Sequence, residues 1–548
     1  MVSAQPATSA RLLLAGFGIV GVGFLVALAT DVAVTLLSPA KLAFVLGGFA
    51  LLIPTMVAED AKAYWLFLLV ASIPFDISKW MSAWLVDPET LVDMYGMPAS
   101  GTVTLELYLT DVVLVAMLLP WLARVCLRRE RLYFPKIGYL FVVYLAWALL
   151  VSLINAESLY LSMFELCREA LYFLSFVYLI NNVATRLQFR SAVWAVFLGL
   201  IIGAGTVITF FEMGIGTDTV AFASLHDQPV TSAQTQTHKT GTKATAPQNL
   251  TLHIAGRGLG STDRGQGSEI KRSQGMFRHP GIPASLCGLT LPIVLAYLIA
   301  ARKNRDRILF FMVYAWGFIA LLLTFSRAGL IGFMVGTVVF FAVGGWSGLI
   351  SRRVLKLSAV ALTLAMALSI PLLLVYLKTR PESFFMRFNM AEAALMGYSQ
   401  HPILGVGLNN GTAAMKAGRQ ELRDMGIPMP PAESADSYYL AVLMEVGPVG
   451  SILFFVFFGK IVMIALRAMR EVAVEMREVA VDMKPLLVGI VAGLASLATQ
   501  NLADEPLAGH AVSGMLWLFA ALIVAIARYI QAETRSSSAG GHAAPVGP

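Results

Sequence analysis

Arg327 is the only charged residue in an apolar stretch that runs from Ile308 to Trp346. A charge at the centre of a bilayer costs roughly 2.5–3.5 kcal/mol on insertion scales, and much less near an interface. Thr324 and Ser326 precede the arginine, so it could mark a turn between two spans and extend to the lipid headgroups. A guanidinium also binds phosphate through two parallel hydrogen bonds. The spacing alone leaves both hypotheses open, a turn marker and a phosphate ligand.

A second basic segment, "RSQGMFRHPGIP", lies directly before another apolar stretch. Gly275 follows Arg272 and Gly281 follows Arg278, and glycine lets a backbone approach a ligand closely. Two arginine sites at the mouths of helices would fit a lipid-borne pyrophosphate, whereas the alternative is that both side chains extend to the membrane interface. His279 is a candidate polar contact in the same segment or a structural histidine.

The elements that must position these residues are apolar helices. The chain has 548 residues, 57% hydrophobic and 13% charged, whereas an ordinary soluble domain has roughly 25% charged residues. Runs of about 20 apolar residues recur along the chain, and each could span a bilayer as a helix. We predict an all-α polytopic membrane protein of about 14 transmembrane helices. The approximate cores are 12–30, 41–58, 63–79, 105–123, 137–154, 168–183, 191–212, 282–301, 308–325, 328–346, 357–377, 438–459, 485–501 and 511–530.

The charged loops predict the orientation of these spans. With 14 spans, the basic loops "RVCLRRERLYFPK", "RKNRDR" and "SRRVLK" fall on one side together with both termini. The positive-inside rule makes that side the cytoplasm. The charged segment "RAMREVAVEMREVAVDMK" is predicted to be an amphipathic helix along the inner surface. The net charge of +7 therefore gives no reason to expect nucleic acid, and the three cysteines show no metal or disulfide pattern.

The predicted organisation alternates membrane helices with outer loops. It comprises N-terminal helices (1–213), a partly low-complexity outer loop (214–280), helices that include Arg327 (281–377), a large outer loop (378–436), C-terminal helices (437–530) and a disordered cytoplasmic tail (531–548). In the large loop, "RPESFFMRFNMAEAALMGYSQ" has apolar residues at three- and four-residue spacing, which predicts an amphipathic helix in the outer interface.

Four stretches on the predicted outer side resemble, in order, motifs of the O-antigen ligase / O-antigen polymerase family of bacterial envelope glycosyltransferases. They are "RSQGMFRHPG", "TFSRAGLIG", "MRFNMAEAALMGYSQHPILGVGLNN" and "ADSYYLAVLMEVGPVG". The resemblance covers about Arg272 to Leu466. It implies a GT-C-like fold and a substrate of saccharide linked to undecaprenyl diphosphate. It also implies that Arg272 and Arg327 hold the diphosphate, and that Arg387 matches an arginine that opens the loop helix. No metal, nucleotide or other cofactor is implied.

The chain departs from the family at the last motif, where ligases carry a histidine and this sequence has Asp436. A carboxylate can accept the proton of an acceptor hydroxyl, so Asp436 could act as the base, and the alternative is a helix N-cap. Glu433 is a weaker candidate base. Tyr438 and Tyr439 could stack on sugar or belong to the interfacial aromatic belt.

Two further groups of charges have simpler interpretations. Glu165 and Arg168 lie three residues apart near the predicted start of the sixth span, where they could pair with each other or contact substrate. Asp504, Glu505 and His510 in "NLADEPLAGH" are predicted to lie in a solvated outer turn rather than in an acceptor cavity.

The function predicted from these features is a metal-independent glycosyltransferase of the bacterial inner membrane, with its active site facing the periplasm. It would polymerise undecaprenyl-diphosphate-linked repeat units onto a growing glycan acceptor, and polysaccharide chain-length and export proteins are expected partners besides the bilayer. One alternative is a ligase that moves the glycan to lipid A-core or to a protein. A more distant alternative is a flippase, which would need polar residues halfway through the membrane.

Overall fold

The computed structural model describes residues 61–73, 78–80, 106–128, 130, 132–213, 217–220, 270–277, 279–356, 381–427, 435–475 and 480–540. Apart from 61–65, these residues belong to one compact unit that comprises 66–223 and 254–548. The predicted cores 12–30, 41–58 and 357–377 lie outside the described residues.

The described part of the chain is almost entirely helical. Its helices are α1 (Ala61–Ser72), α2 (Leu109–Cys126), α3 (Gly138–Asn155), α4 (Leu159–Asn182), α5 (Arg186–Met213), α6 (Gly281–Ala300), α7 (Asn304–Leu323), α8 (Arg327–Trp346), α9 (Pro381–Ser399), α10 (Gly411–Asp424), α11 (Tyr438–Glu475), α12 (Ala480–Gln500) and α13 (His510–Gly540). Within this part, eight helices are long and apolar enough to cross a membrane, namely α3, α5, α6, α7, α8, α11, α12 and α13. The prediction of an all-α multi-pass membrane protein is confirmed.

Two short antiparallel ribbons accompany the helices. Strand β1 (Ser78–Trp80) pairs with β2 (Glu106–Tyr108), and β3 (Thr217–Val220) pairs with β4 (Ile270–Ser273). The second ribbon joins the two ends of the predicted outer loop 214–280, with the backbone of Asp218 opposite that of Arg272.

Four predicted boundaries were wrong. The disordered tail does not begin at residue 531, because α13 continues to Gly540. The helix predicted over 63–79 is shorter than expected, because α1 ends at Ser72 and strand β1 follows at Ser78. The span 168–183 is the C-terminal part of α4, which begins at Leu159, so Arg168 lies inside the helix and not near its start. The charged segment 467–484 is not one separate surface helix, because its first part continues α11 as far as Glu475.

Helix α6 forms the centre of the core and packs most closely against α12. A Cβ atom at Gly489 would lie 2.5 Å from the Cα of Ile293, and one at Gly336 would lie 2.8 Å from the carbonyl oxygen of Ala492. Only glycine permits these approaches, and small residues are the usual means by which membrane helices pack closely. The close contacts hold α6, α8 and α12 together as a rigid group.

The helix ends define two opposite faces. At the first, α6, α8, α11 and α13 begin and α12 ends, and we call this end the site face. At the other end, which we call the basic face, Arg186 Nε donates to the Tyr529 hydroxyl at 3.2 Å. There Arg528 also donates to the carbonyl of Ile180 at 2.7 Å. The basic loops that predicted the cytoplasmic side belong to this second face.

Helix α11 is broken shortly after it begins, and the break anchors the large loop. Gly447 has φ +65° and is followed by Pro448, which cannot donate a hydrogen bond to the carbonyl of Met444. The backbone N–H of Val406 donates to that carbonyl instead, at 2.9 Å, and the N–H of Gly407 donates to the carbonyl of Glu445 at 2.9 Å. The segment "ILGVG" therefore fills a gap that the glycine and the proline create in the helix.

The same segment is fixed from the other side by the turn between α3 and α4. The Asn155 side chain donates to the carbonyl of Gly405 at 2.8 Å. The Asn410 side chain accepts from the backbone N–H of Ser158 at 2.8 Å and donates to the Ser162 hydroxyl at 2.8 Å. The end of α3 and the start of α4 belong to the site face. These bonds therefore place the start of α10 at that face too.

Candidate functional site

Asp436 lies at the site face, two residues before α11 begins at Tyr438. Its backbone has φ +53°, a left-handed conformation that costs energy for any residue other than glycine and that surrounding contacts must maintain. Ser437, and not Asp436, stands in the N-cap position, because the N–H of Ala441 donates to the carbonyl of Ser437 at 3.0 Å. The helix-cap interpretation of Asp436 therefore does not hold.

Glu505 supplies contacts that maintain this conformation. Its carboxylate accepts hydrogen bonds from the backbone N–H groups of Ala435 and Ser437, which flank Asp436 on either side. Its Oε1 is fully enclosed and has no hydrogen-bond partner among the described residues. Burial raises the pKa of Glu505 to about 7, and the nearby charge of Asp436 acts in the same direction.

Three separate segments bring charged groups to Asp436. Burial raises the pKa of Asp436, the neighbouring Arg387 and His279 oppose that increase, and Asp504 adds to it. His279 precedes α6, Arg387 lies on α9, and Asp504 follows α12. Three predicted site residues, His279, Arg387 and Asp436, are thus neighbours, although their roles stay predictions.

Asp504 and His279 pack together over the start of α6. The oxygen Oδ2 of Asp504 and the ring of His279 occupy the space that a Cβ atom at Gly281 would need. The N–H of Gly281 donates to His279 Nδ1 at 3.1 Å. Gln500 Nε2 donates to the carbonyl of Gly281 at 3.1 Å and to Asp504 Oδ2 at 3.3 Å. These bonds connect the end of α12 to the beginning of α6.

Arg387 reaches the same turn from the large loop. Its side chain is exposed, and Nη1 donates to the carbonyl of Ala503. Phe388 and Leu395 on α9 are also exposed, at 58% and 49% of their surface, whereas Met390 on the opposite side is buried. Helix α9 therefore has one exposed apolar side, and its location in the outer interface stays a prediction.

Arg327 is the first residue of α8 and belongs to the site face. The Ser326 hydroxyl caps the helix by accepting from the N–H of Gly329 at 3.2 Å. A Cβ atom at Gly329 would lie 2.6 Å from that of Ala284, so the first turns of α8 and α6 are in contact. Arg327 itself is half-buried. The arginine therefore does end the turn between α7 and α8, and the helix that it begins contacts the start of α6.

Arg272 lies on strand β4. The neighbouring Ser273 hydroxyl donates to the carbonyl of Val207 at 2.7 Å, which ties the strand to α5. The side chain of Arg272 and all of Arg278 and Glu433 lie outside what the structure describes. The meeting of the Arg272 and Arg327 guanidinium groups on one ligand stays a prediction.

The two tyrosines after Asp436 attach α11 to its neighbours. The Tyr439 hydroxyl donates to the carbonyl of Ala498 at 2.8 Å, and its ring lies 5.0 Å from that of Phe455. The backbone N–H of Tyr438 donates to the carbonyl of Asn501 at 3.1 Å. These contacts give both residues a structural role beside the predicted contact with sugar.

The turn 501–510 was predicted to be solvated, and that prediction was wrong for two of its residues. Glu505 contacts the backbone around Asp436, and His510 is only 4% exposed. The Nδ1 atom of His510 lies 2.5 Å from the Tyr172 hydroxyl, and its Nε2 lies 3.6 Å from Asp111. The turn is packed because its polar groups have partners on α2, α4 and α11.

A polar stripe on α4 was only partly recognised from the sequence. Glu165, Arg168, Glu169 and Tyr172 recur at three- and four-residue spacing and so share one side of the helix. Glu165 and Arg168 form an ion pair, as predicted. Glu169 Oε2 is enclosed and has no hydrogen-bond partner in the described part of the chain. The spacing could have shown this stripe, had the helix been recognised to begin at Leu159.

No group of three or more His, Cys, Asp or Glu side chains within the described ranges could hold a metal ion.

Residues 310–455 match the family described as O-antigen ligase. The matched part begins in α7 and ends in α11, so it contains Arg327, Arg387 and Asp436. The resemblance to the O-antigen ligase / O-antigen polymerase family is confirmed, and the chain carries this domain. No curated protein matches the chain.

Proposed function

We propose, from the O-antigen ligase domain that the chain carries, that it is an inner-membrane glycosyltransferase whose donor is an oligosaccharide on a polyprenyl diphosphate. The domain assigns the chain a role in glycan assembly. The proposal that glycosyl transfer takes place at Asp436 rests on one arrangement. Glu505 binds the backbone on both sides of this half-buried carboxylate. That carboxylate lies on the same face as Arg327.

In the proposed reaction, Arg272 and Arg327 bind the diphosphate and stabilise the negative charge that develops on it as it leaves. The acceptor hydroxyl attacks the anomeric carbon, a new glycosidic C–O bond forms, and the C–O bond to the phosphate breaks. Asp436 accepts the hydroxyl proton. The energy comes from the sugar–phosphate bond, so no nucleotide is needed.

The electrostatic setting of Asp436 suits a base. Burial and the charge of Asp504 raise its pKa, which makes the carboxylate a better proton acceptor than an exposed aspartate. Arg387 and His279 oppose that increase in the pKa of Asp436. Glu505 acts on Asp436 through the backbone and is a positioning residue.

The site face would lie outside the cytoplasm. The basic loops lie at the opposite ends of the helices, and the positive-inside rule assigns such loops to the cytoplasm. A lipid-linked donor at the outer leaflet would then meet Arg327 at the start of α8. The charged groups around Asp436 gather at one end of the helices, where an enzyme acting at the outer leaflet would need them.

The proposed acceptor is a growing glycan, so that the chain polymerises repeat units. Asp436 in place of the ligase histidine favours this assignment. The family description fits a ligase at least as well, and a ligase acting on lipid A-core or protein is the second candidate.

A deletion strain would test the proposal and separate the two candidates. Its surface polysaccharide, separated on a gel, should consist of single repeat units on lipid if a polymerase is lost. Full-length polymer that stays on its carrier would identify a ligase. Unchanged polysaccharide would contradict both.

A further inference from the structure

An open cavity of about 410 Å³ lies at the basic face, far from Asp436 along the helices. Its walls come from the end of α8 and from α11, and they consist of Ala342, Val343, Trp346, Leu466, Arg467 and Arg470. The volume is within the range of roughly 300–1,000 Å³ that is typical of small-molecule sites. No step of the proposed reaction uses these residues.

The cavity lies where the hydrocarbon of a bilayer would end. Trp346 is the last residue of α8, a helix of 20 residues that begins at Arg327 on the site face. At about 1.5 Å per residue, α8 is about 30 Å long, which is the thickness of a bilayer's hydrocarbon core. Trp346 and Arg467 line the same cavity, so the cavity lies at this end of α8. The α8 wall therefore ends at the headgroup level.

The walls combine an apolar surface with positive charge. Ala342, Val343 and Leu466 provide the apolar part. Trp346 is 58% exposed, and exposed tryptophan is typical of the membrane interface. Arg467 and Arg470 are exposed and lie three residues apart, so both guanidinium groups point to the same side of α11.

The two arginines are available to a ligand. Among the described residues, no carboxylate forms an ion pair with either of them, including the adjacent Glu471. Guanidinium groups bind phosphate oxygens in pairs. A phosphate between Arg467 and Arg470 would satisfy charges that the protein itself leaves unpaired in its described part.

We propose that this cavity is a binding site for an anionic phospholipid of the leaflet at the basic face. The headgroup phosphate contacts Arg467 and Arg470, Trp346 packs beside the glycerol, and the beginning of an acyl chain covers the apolar wall. Basic pockets between membrane helices on the cytoplasmic side are known to take such lipids. The site is independent of the proposed enzymatic function, because it lies at the other end of the helices.

Native mass spectrometry of the full-length protein in detergent, titrated with cardiolipin, phosphatidylglycerol or phosphatidylcholine, would test this site. We expect one tightly held anionic lipid and weaker binding of phosphatidylcholine. The double variant Arg467→Ala/Arg470→Ala should lower the affinity for the anionic lipids roughly 30-fold, from the contribution of two basic residues near a membrane surface.

The matched control is Arg302→Ala/Arg305→Ala, which removes the same charge from the same face outside the cavity. It should leave the tightly held lipid in place. Trp346→Ala should weaken binding without a change in charge. Equal losses in the two double variants would show general charge attraction only and would overturn the proposal, as would equal affinity for all three lipids.

Discussion

The carboxylate of Glu505 binds the backbone N–H groups on both sides of Asp436, although 69 residues separate the two in sequence. The two acidic residues thus form one unit in which the first fixes the conformation of the second. Asp436 keeps its left-handed backbone because Ala435 and Ser437 are held by this contact.

Replacement of Glu505 by glutamine should stabilise the protein at alkaline pH. In the folded chain the pKa of Glu505 is about 7, above its ordinary value of 4.5. The stability that its protonated form provides is therefore complete below about pH 4.5 and is lost as pH rises through 7. A shift from 4.5 to about 7 corresponds to about 3 kcal/mol.

Glutamine cannot ionise, but its amide oxygen still accepts both backbone N–H groups. Thermal unfolding in detergent should give a higher Tm for Glu505→Gln than for the wild type at pH 8, and nearly the same Tm at pH 4.5. If the difference in Tm between Glu505→Gln and the wild type is the same at pH 4.5 and pH 8, the burial of this carboxyl group is refuted.

Asp436→Asn should reduce glycan transfer by at least 10²-fold, because a general base typically contributes 10²–10⁴-fold. The raised pKa of Asp436 predicts that wild-type transfer falls as the carboxylate is protonated, at a pH above that of an ordinary aspartate. The measurement is transfer by purified protein from a lipid-linked donor between pH 4 and pH 8. Asp424→Asn, an exposed residue at the end of α10, is the matched control and should keep full activity.

Gly447→Ala should release the large loop from α11. Gly447 has φ +65°, and its missing Cβ makes room for the carbonyl of Ile403. An alanine would carry strain of about 1–3 kcal/mol, besides the clash. Limited proteolysis should then cut near residues 399–410 much faster than in the wild type.

Gly459→Ala is the control on the same helix, since a Cβ atom there would meet no other atom within 4 Å. It should leave the proteolysis unchanged and stabilise α11 by up to about 1 kcal/mol through helix propensity. Rapid cleavage in both variants would show that the loop does not depend on the break at Gly447.

The sequence predicts the apolar helices well, because a span needs only about 20 consecutive apolar residues. It also predicts the start of α8, where Thr324, Ser326 and Arg327 interrupt such a run. It does not predict the first turns of α4, because Glu165, Arg168 and Glu169 lower the hydropathy there. Their burial depends on neighbours that are distant in the chain.

The contacts of the site could be foreseen only in part. The apolar stretch that follows Asp436 and a matching motif identify this residue as a candidate. The hydrogen bonds of Glu505 to Ala435 and Ser437 could not be foreseen, since they depend on how α11 and α12 pack. The glycines of "ILGVGLNNG" predict a turn, but the need for Gly405 arises from a backbone 40 residues further along the chain.

Donor affinity in a double-mutant cycle tests the central claim most directly. Binding of a lipid-linked oligosaccharide diphosphate would be measured for the wild type, Arg272→Ala, Arg327→Ala and the double variant. If both guanidinium groups hold one diphosphate, each single change weakens binding, and the effects differ from additivity by at least about 0.5 kcal/mol. Strictly additive effects, or unchanged affinity in either single variant, would contradict a shared diphosphate site.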